Sequence, residues 1–115
     1  MRGIRNAAVC GLVVALAAIT GTAGAADAVD DGAAKALLKK SDCGKCHSVD
    51  KKKDGPSFKE TAAKYSGKAE AENEVFKHVT TGPMVKVEGK EEEHRKVKSS
   101  DEAEIRNLVR WILTR

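Results

Sequence analysis

Aromatic side chains are scarce. The 115 residues hold one Trp, one Tyr and two Phe, which is thin for a small domain that has to fill its own core. Something other than the side chains has to supply the missing apolar volume. Long hydrophobic runs are missing as well. The apolar stretch Ala7 to Ile19 is diluted by small residues and is too short to span a bilayer. Basic and aromatic residues do not interleave, and the formal net charge is only +4, which speaks against nucleic acid as a partner. There is no internal repeat and no sign of a second domain. There is also no strand–helix–strand pattern of the kind a thioredoxin-like fold needs around a Cys-x-x-Cys pair.

What is present falls into two parts. Arg2 and Arg5 precede the apolar Ala7–Ile19 segment, and Ala23-Gly24-Ala25 supplies small residues for cleavage. This is the layout of an export signal over residues 1–25, removed after Ala25 or Ala26, and a retained membrane anchor is the alternative. Cys10 lies inside it as a small apolar filler. The remaining residues, 26–115, form one domain with no membrane span. Of the net +4, Arg2 and Arg5 account for two, leaving +2 on the exported part. Export predicts a periplasmic protein.

The domain is organised around Cys43-Gly44-Lys45-Cys46-His47. Cys-x-x-Cys-His is the attachment signal for haem c. Each thiol adds across one vinyl group, and two intervening residues let both reach the same edge of the porphyrin. One helical turn brings His47 under the iron, with its second ring nitrogen free to donate a hydrogen bond. A redox-active dithiol would need the βαβ surroundings that are missing. A zinc site would need four ligands, and His78 and His94, the further histidines, fall in no compact ligand pair. A covalent macrocycle would also supply the apolar volume that four aromatics do not, so fold and cofactor should depend on one another.

Periodicity places helices around this motif. Ala33 to Lys40 carries Ala33, Ala34, Leu37 and Leu38 on one face, with Asp30 or Asp31 to cap it. Ser48 to Gly55 is a loop, broken by Lys51-Lys52-Lys53-Asp54-Gly55-Pro56. Ser57 to Tyr65 is a short helix with Phe58, Ala62 and Tyr65 inward. Ala69 to Val79 is a third, with Ala71, Val75, Phe76 and Val79 as its stripe, His78 on its polar face, and Gly82-Pro83 as its stop. Met84 to Val97 is the least regular part, with an extended segment turning at Gly89-Lys90. Ser99 and Glu102 make a capping box for the last helix, whose stripe is Ile105, Leu108, Val109, Trp111 and Ile112.

Taken in order, these features resemble a small bacterial class I cytochrome c. The resemblance runs from about Ala33 to Thr114. It rests on Cys43–Asp50, Asp54-Gly55-Pro56-Ser57-Phe58, Ala62–Gly67 and Leu108–Leu113. It implies an all-α fold of about four helices around one haem c, with Ala34 or Leu37 meeting Leu108 and Trp111 where the first and last helices cross. It implies that the Pro56 carbonyl accepts the free N–H of His47. It also implies a methionine as sixth iron ligand, and Met84, after Gly82-Pro83, stands in a suitable loop. The strongly charged continuation Lys86 to Glu93 departs from the family's apolar, proline-rich loop, and His94 in the same loop competes for the position.

The function expected is that of a monohaem electron carrier cycling between ferrous and ferric iron, not an enzyme. Cys43 and Cys46 tether, His47 ligates, and Met84 is expected to complete the set, with His94 as the alternative sixth ligand. Its partners are redox proteins; Lys45, Lys51, Lys52 and Lys53 near the motif either steer an acidic one or form simply a solvated loop. The rival reading is a haem c protein with open or bis-histidine iron, acting as a gas sensor or a small redox enzyme subunit.

Overall fold

The computed structural model describes residues 28–115. The export signal, Cys10 and the cleavage site lie outside them. The element order is α1 (Asp31–Lys40), a 3₁₀ turn (Cys43–Lys45), α2 (Phe58–Tyr65), α3 (Ala71–Thr81), β1 (Met84–Val87), β2 (Lys90–Glu93) and α4 (Glu102–Leu113). Four helices thus surround the motif, as the all-α reading expects, and one small hairpin is added to them. Among the described residues no helix is long and apolar enough to cross a membrane.

Three of the four helices, α1, α2 and α4, start where a side chain satisfies free N–H groups of the first turn; α3 starts without such a cap. Asp30 caps α1, its Oδ1 accepting from Ala33 N at 2.9 Å. Ser57 and Glu60 form a reciprocal capping box on α2. The α4 cap differs from the expected Ser99. Asp101 holds that position, accepting from Ala103 N and Glu104 N at 2.9 and 3.3 Å. Its carboxylate also suits the positive end of the helix. Ser99 sits two residues earlier and donates to Glu104 at 2.5 Å. Helix α3 is displaced by two residues from the expected span. The turn at 66–70 takes up Ala69 and Glu70, and the Thr80 and Thr81 hydroxyls bond back to Phe76 O and Lys77 O at 2.8 and 2.7 Å. Gly82, at φ +63°, ends it.

The region after α3 is more regular than its sequence suggests. Strands β1 and β2 pair antiparallel, Met84 opposite Glu93 and Val87 opposite Lys90. Glu88 and Gly89, at φ +49° and +81°, make the turn, the backbone that a two-residue hairpin favours. The turn therefore falls one residue before the expected Gly89-Lys90.

One core lies where α1 crosses α4. Ala34 and Leu37 from α1 are buried with Leu108, Val109 and Trp111 from α4, together with Phe58 and Val75 from α2 and α3. Polar clips fix the crossing. Trp111 Nε1 donates to Asp31 Oδ1 at 2.7 Å. The buried Asn107 amide bonds both backbone groups of Asp30, accepting from its N at 2.8 Å and donating to its O at 2.9 Å. Trp111 is 2% exposed, so the indole is core. Trp111→Ala should lower the unfolding free energy of the matured protein by about 3–5 kcal/mol and leave the visible spectrum largely intact. Denaturant titration checks this, and a loss below about 1 kcal/mol would contradict the packing role.

Candidate cofactor cleft

The Cys43–His47 segment turns tightly because α1 hands it over in a left-handed residue. Asp42 takes φ +58°, a conformation that Asp tolerates better than most side chains. Lys98 holds its carboxylate at 2.9 Å. Lys98 N also donates to Ser41 Oγ at 2.9 Å, which ties the end of α1 to the segment leading into α4. From there Cys46 N and His47 N both bond Cys43 O, at 3.2 and 3.0 Å. One turn thus separates the first thiol from the imidazole. Cys43, Cys46 and His47 all line a single cleft, and both thiols are free and half-buried. Burial pushes the Cys43 thiol up from its ordinary range, which keeps it protonated.

The His47 ring is held from three sides. Its Nδ1 lies 2.7 Å from Pro56 O. A carbonyl only accepts, so the proton is on Nδ1 and Nε2 keeps its lone pair. Gly55 lies flat against the ring, and a Cβ there would overlap Cε1 and come within 2.9 Å of Nδ1. Gly55 N donates to Cys46 O at 2.9 Å, which brings this loop back onto the motif. Phe58 stacks on the imidazole at 5.5 Å with 22° between planes, and meets Trp111 edge-on at 5.7 Å. The ligand ring is therefore continuous with the core.

The opposite wall comes from α3 and the hairpin. Val85 and Val87 alternate inward from β1 and line the cleft. Met84 lies on the other face of the pleat, is 62% exposed and is not among the lining residues. His94 does line the cleft, and its ring centre is 6.0 Å from that of His47, with the planes tilted by 45°. The structure thus brings His94, and not Met84, to face His47. Backbone bonds from His94 N to Pro83 O and from Val97 N to Val79 O, both 2.9 Å, pin the segment. Gly82 makes room for it, since a Cβ there would come within 2.8 Å of His94 O.

His78 departs from the expected polar face. It lines the cleft and meets His94 edge-on at 4.5 Å. The apolar stripe of α3 is only half of its inward surface, and the cleft side admits an imidazole. Burial, and next the neighbouring His94, lower the His78 pKa. Burial, and next His47, lower that of His94. Both rings are thereby held neutral, the form that binds metals. His94 Nδ1 is buried with no hydrogen-bond partner.

The cleft measures about 810 Å³, within the range of pockets that bury an organic cofactor. Its two thiols, its clamped imidazole and its valine-lined wall fit a covalently held macrocycle with iron at the centre. Among the described residues, no group of three or more His, Cys, Asp or Glu side chains could hold a bare metal ion. Of the four lysines near the motif, Lys45 pairs with Asp42 at 3.6 Å and Lys53 donates to Gly44 O at 2.6 Å, while Lys51 and Lys52 are exposed. Gly55 and Gly82 were legible in the sequence only as turn residues. Their close approach to the two imidazoles depends on chain segments that meet only in the fold.

Comparison with known proteins agrees with this geometry. The family description Cytochrome c matches residues 32–115. Cytochrome c-551 of Pseudomonas aeruginosa is 36% identical over 78 residues, 68% of this chain and 72% of that one. Cytochrome c-551 of Azotobacter vinelandii is 35% identical over 86 residues, 68% of this chain and 92% of that one. Among solved structures, the class 1 cytochrome MtoD from Sideroxydans lithotrophicus ES-1 superposes with a TM-score of 0.73 at 50% identity, over 76% of this chain and 97% of that one. Cytochrome c552 of Nitrosomonas europaea gives 0.58 at 31% identity, over 70% and 96%. The chain therefore belongs to the cytochrome c family, among its small bacterial class I members, electron carriers that hold one covalently bound haem c.

Proposed function

We propose that the mature chain is a periplasmic single-electron carrier, reduced by one redox protein and oxidised by another. The observation that carries this reading is the clamped His47 ring, set in one cleft with both free thiols. Haem, bound through Cys43 and Cys46, supplies the one-electron couple at its iron. The chain's own residues do the rest. Pro56 O fixes the His47 tautomer and makes the ring a stronger donor. Gly55 and Phe58 hold its orientation, which limits rearrangement when charge changes. Val85 and Val87 put apolar surface on the far wall, between charged neighbours such as Lys86 and Glu92. Lys51 and Lys52, exposed near the motif, are suited to an acidic redox partner.

Export rests on the leader sequence, and N-terminal sequencing of protein recovered from the periplasm should begin at Ala26 or Asp27. A chain that still begins at Met1 would contradict it.

Attachment is tested on the matured protein. The double variant Cys43→Ala, Cys46→Ala should show no haem in its intact mass. It should lose cooperative thermal unfolding, because the small core lacks its largest apolar component. A soluble haem-free variant that still melts sharply would contradict a structural role for the cofactor.

Gly55→Ala is the finer test. The added methyl group cannot coexist with the present ring position. Haem should stay covalently attached, by mass, while the low-spin ferric spectrum weakens and the midpoint potential moves. An unchanged spectrum would mean that the loop yields and the clamp is not rigid.

A further inference from the structure

The second side of the iron is where the chain's own residues depart from the expected pattern. We propose that His94 is the second axial ligand, opposite His47, so that two imidazoles hold the iron and Met84 takes no part. The proposal rests on the haem c reading above and specifies the site further.

Distance is the first argument. Metal–nitrogen bonds to imidazole run about 2.0–2.1 Å, and each donor nitrogen lies about half a ring width from its ring centre, so two imidazoles sharing one metal ion from opposite sides have centres about 6 Å apart. The His47 and His94 ring centres are 6.0 Å apart.

Position is the second. His94 is pinned through its backbone to Pro83 O at 2.9 Å, seated against Gly82, and braced edge-on by His78 at 4.5 Å. A ligand has to be held in this way if the site is to keep its geometry through a change of charge.

The third argument is the hairpin register. Side chains along β1 alternate, so Met84 shares its face with Lys86, away from Val85 and Val87. Bringing Met84 inward by a one-residue slip would send both valines outward and break the pairing of Met84 with Glu93. Met84 is 62% exposed as it stands. A buried, unpartnered nitrogen on His94 adds that this side chain sits where protein hydrogen bonds do not satisfy it.

The experiment uses the matured, haem-loaded protein, with covalent haem first verified by intact mass. The oxidised protein should show a low-spin bis-imidazole electron paramagnetic resonance spectrum. It should lack the near-infrared charge-transfer band of thioether–iron ligation. Met84→Ala should leave spectrum and midpoint potential unchanged. His94→Ala should lose the low-spin signals and bind carbon monoxide rapidly. His94→Met should gain the thioether band and raise the potential, because a methionine ligand favours ferrous iron. A thioether band in the unaltered protein that disappears in Met84→Ala would overturn the assignment, as would an unchanged spectrum in His94→Ala. If His94→Ala does not fold, the spectrum of the unaltered protein and that of Met84→Ala still decide. A matured protein without covalent haem would instead overturn the carrier reading itself, which keeps the two failures distinct.

Discussion

The hydrogen bond between His47 Nδ1 and the Pro56 carbonyl, 2.7 Å long, is the contact on which the rest of the site depends. It decides which ring nitrogen carries the proton, and so which one is a donor to metal. It also couples two loops that are otherwise irregular. Pro56 has no N–H of its own to place, so its residue can be given over to positioning its carbonyl. Gly55, immediately before it, has no side chain to keep the loop away from the imidazole. The pair Gly55-Pro56 thus does two different jobs through two different absences.

Behind the ring, support passes through aromatic contacts to the helix crossing. Phe58 stacks on His47 and meets Trp111 edge-on, and the Trp111 indole is anchored to Asp31. Three of the chain's four aromatic-carbocycle residues are thus spent near the site: Phe58 and Trp111 in this relay, and Tyr65 on the cleft wall. The fourth, Phe76, lies partly buried against the core, with Arg106 over its ring at 4.4 Å. A scarcity that looked like a weakness of the core is concentrated where the cofactor needs orientation.

Much of this was legible before any fold was known, and the reasons are physical. The spacing Cys43-x-x-Cys46-His47 is dictated by bond chemistry, so it survives as a linear pattern. The stripes of α1, α2 and α4 are legible because burial on a helix repeats in sequence. The second strand of the hairpin was not, because Lys90 to Glu93 is exposed along its whole length and carries no alternation. The cap of α4 was misplaced because Ser99, Ser100 and Asp101 are three competent caps in succession. Only the point where the chain enters the helix decides among them. Pro83 drew attention to Met84, yet strand parity turns that side chain outward. His94 and His78 belong to separate elements, and nothing local in the sequence says that both rings reach the cleft.

The central claim is that the fold presents His47 with its proton on Nδ1, held by Pro56, and its other nitrogen toward the cofactor. Nuclear magnetic resonance of the ¹⁵N-labelled, ferrous, diamagnetic holoprotein tests it most directly. The His47 Nδ1 proton should be observable, exchange slowly with solvent and show cross-relaxation to Gly55 or Pro56. A proton found on Nε2, or an Nδ1 proton lost to rapid exchange, would contradict the account.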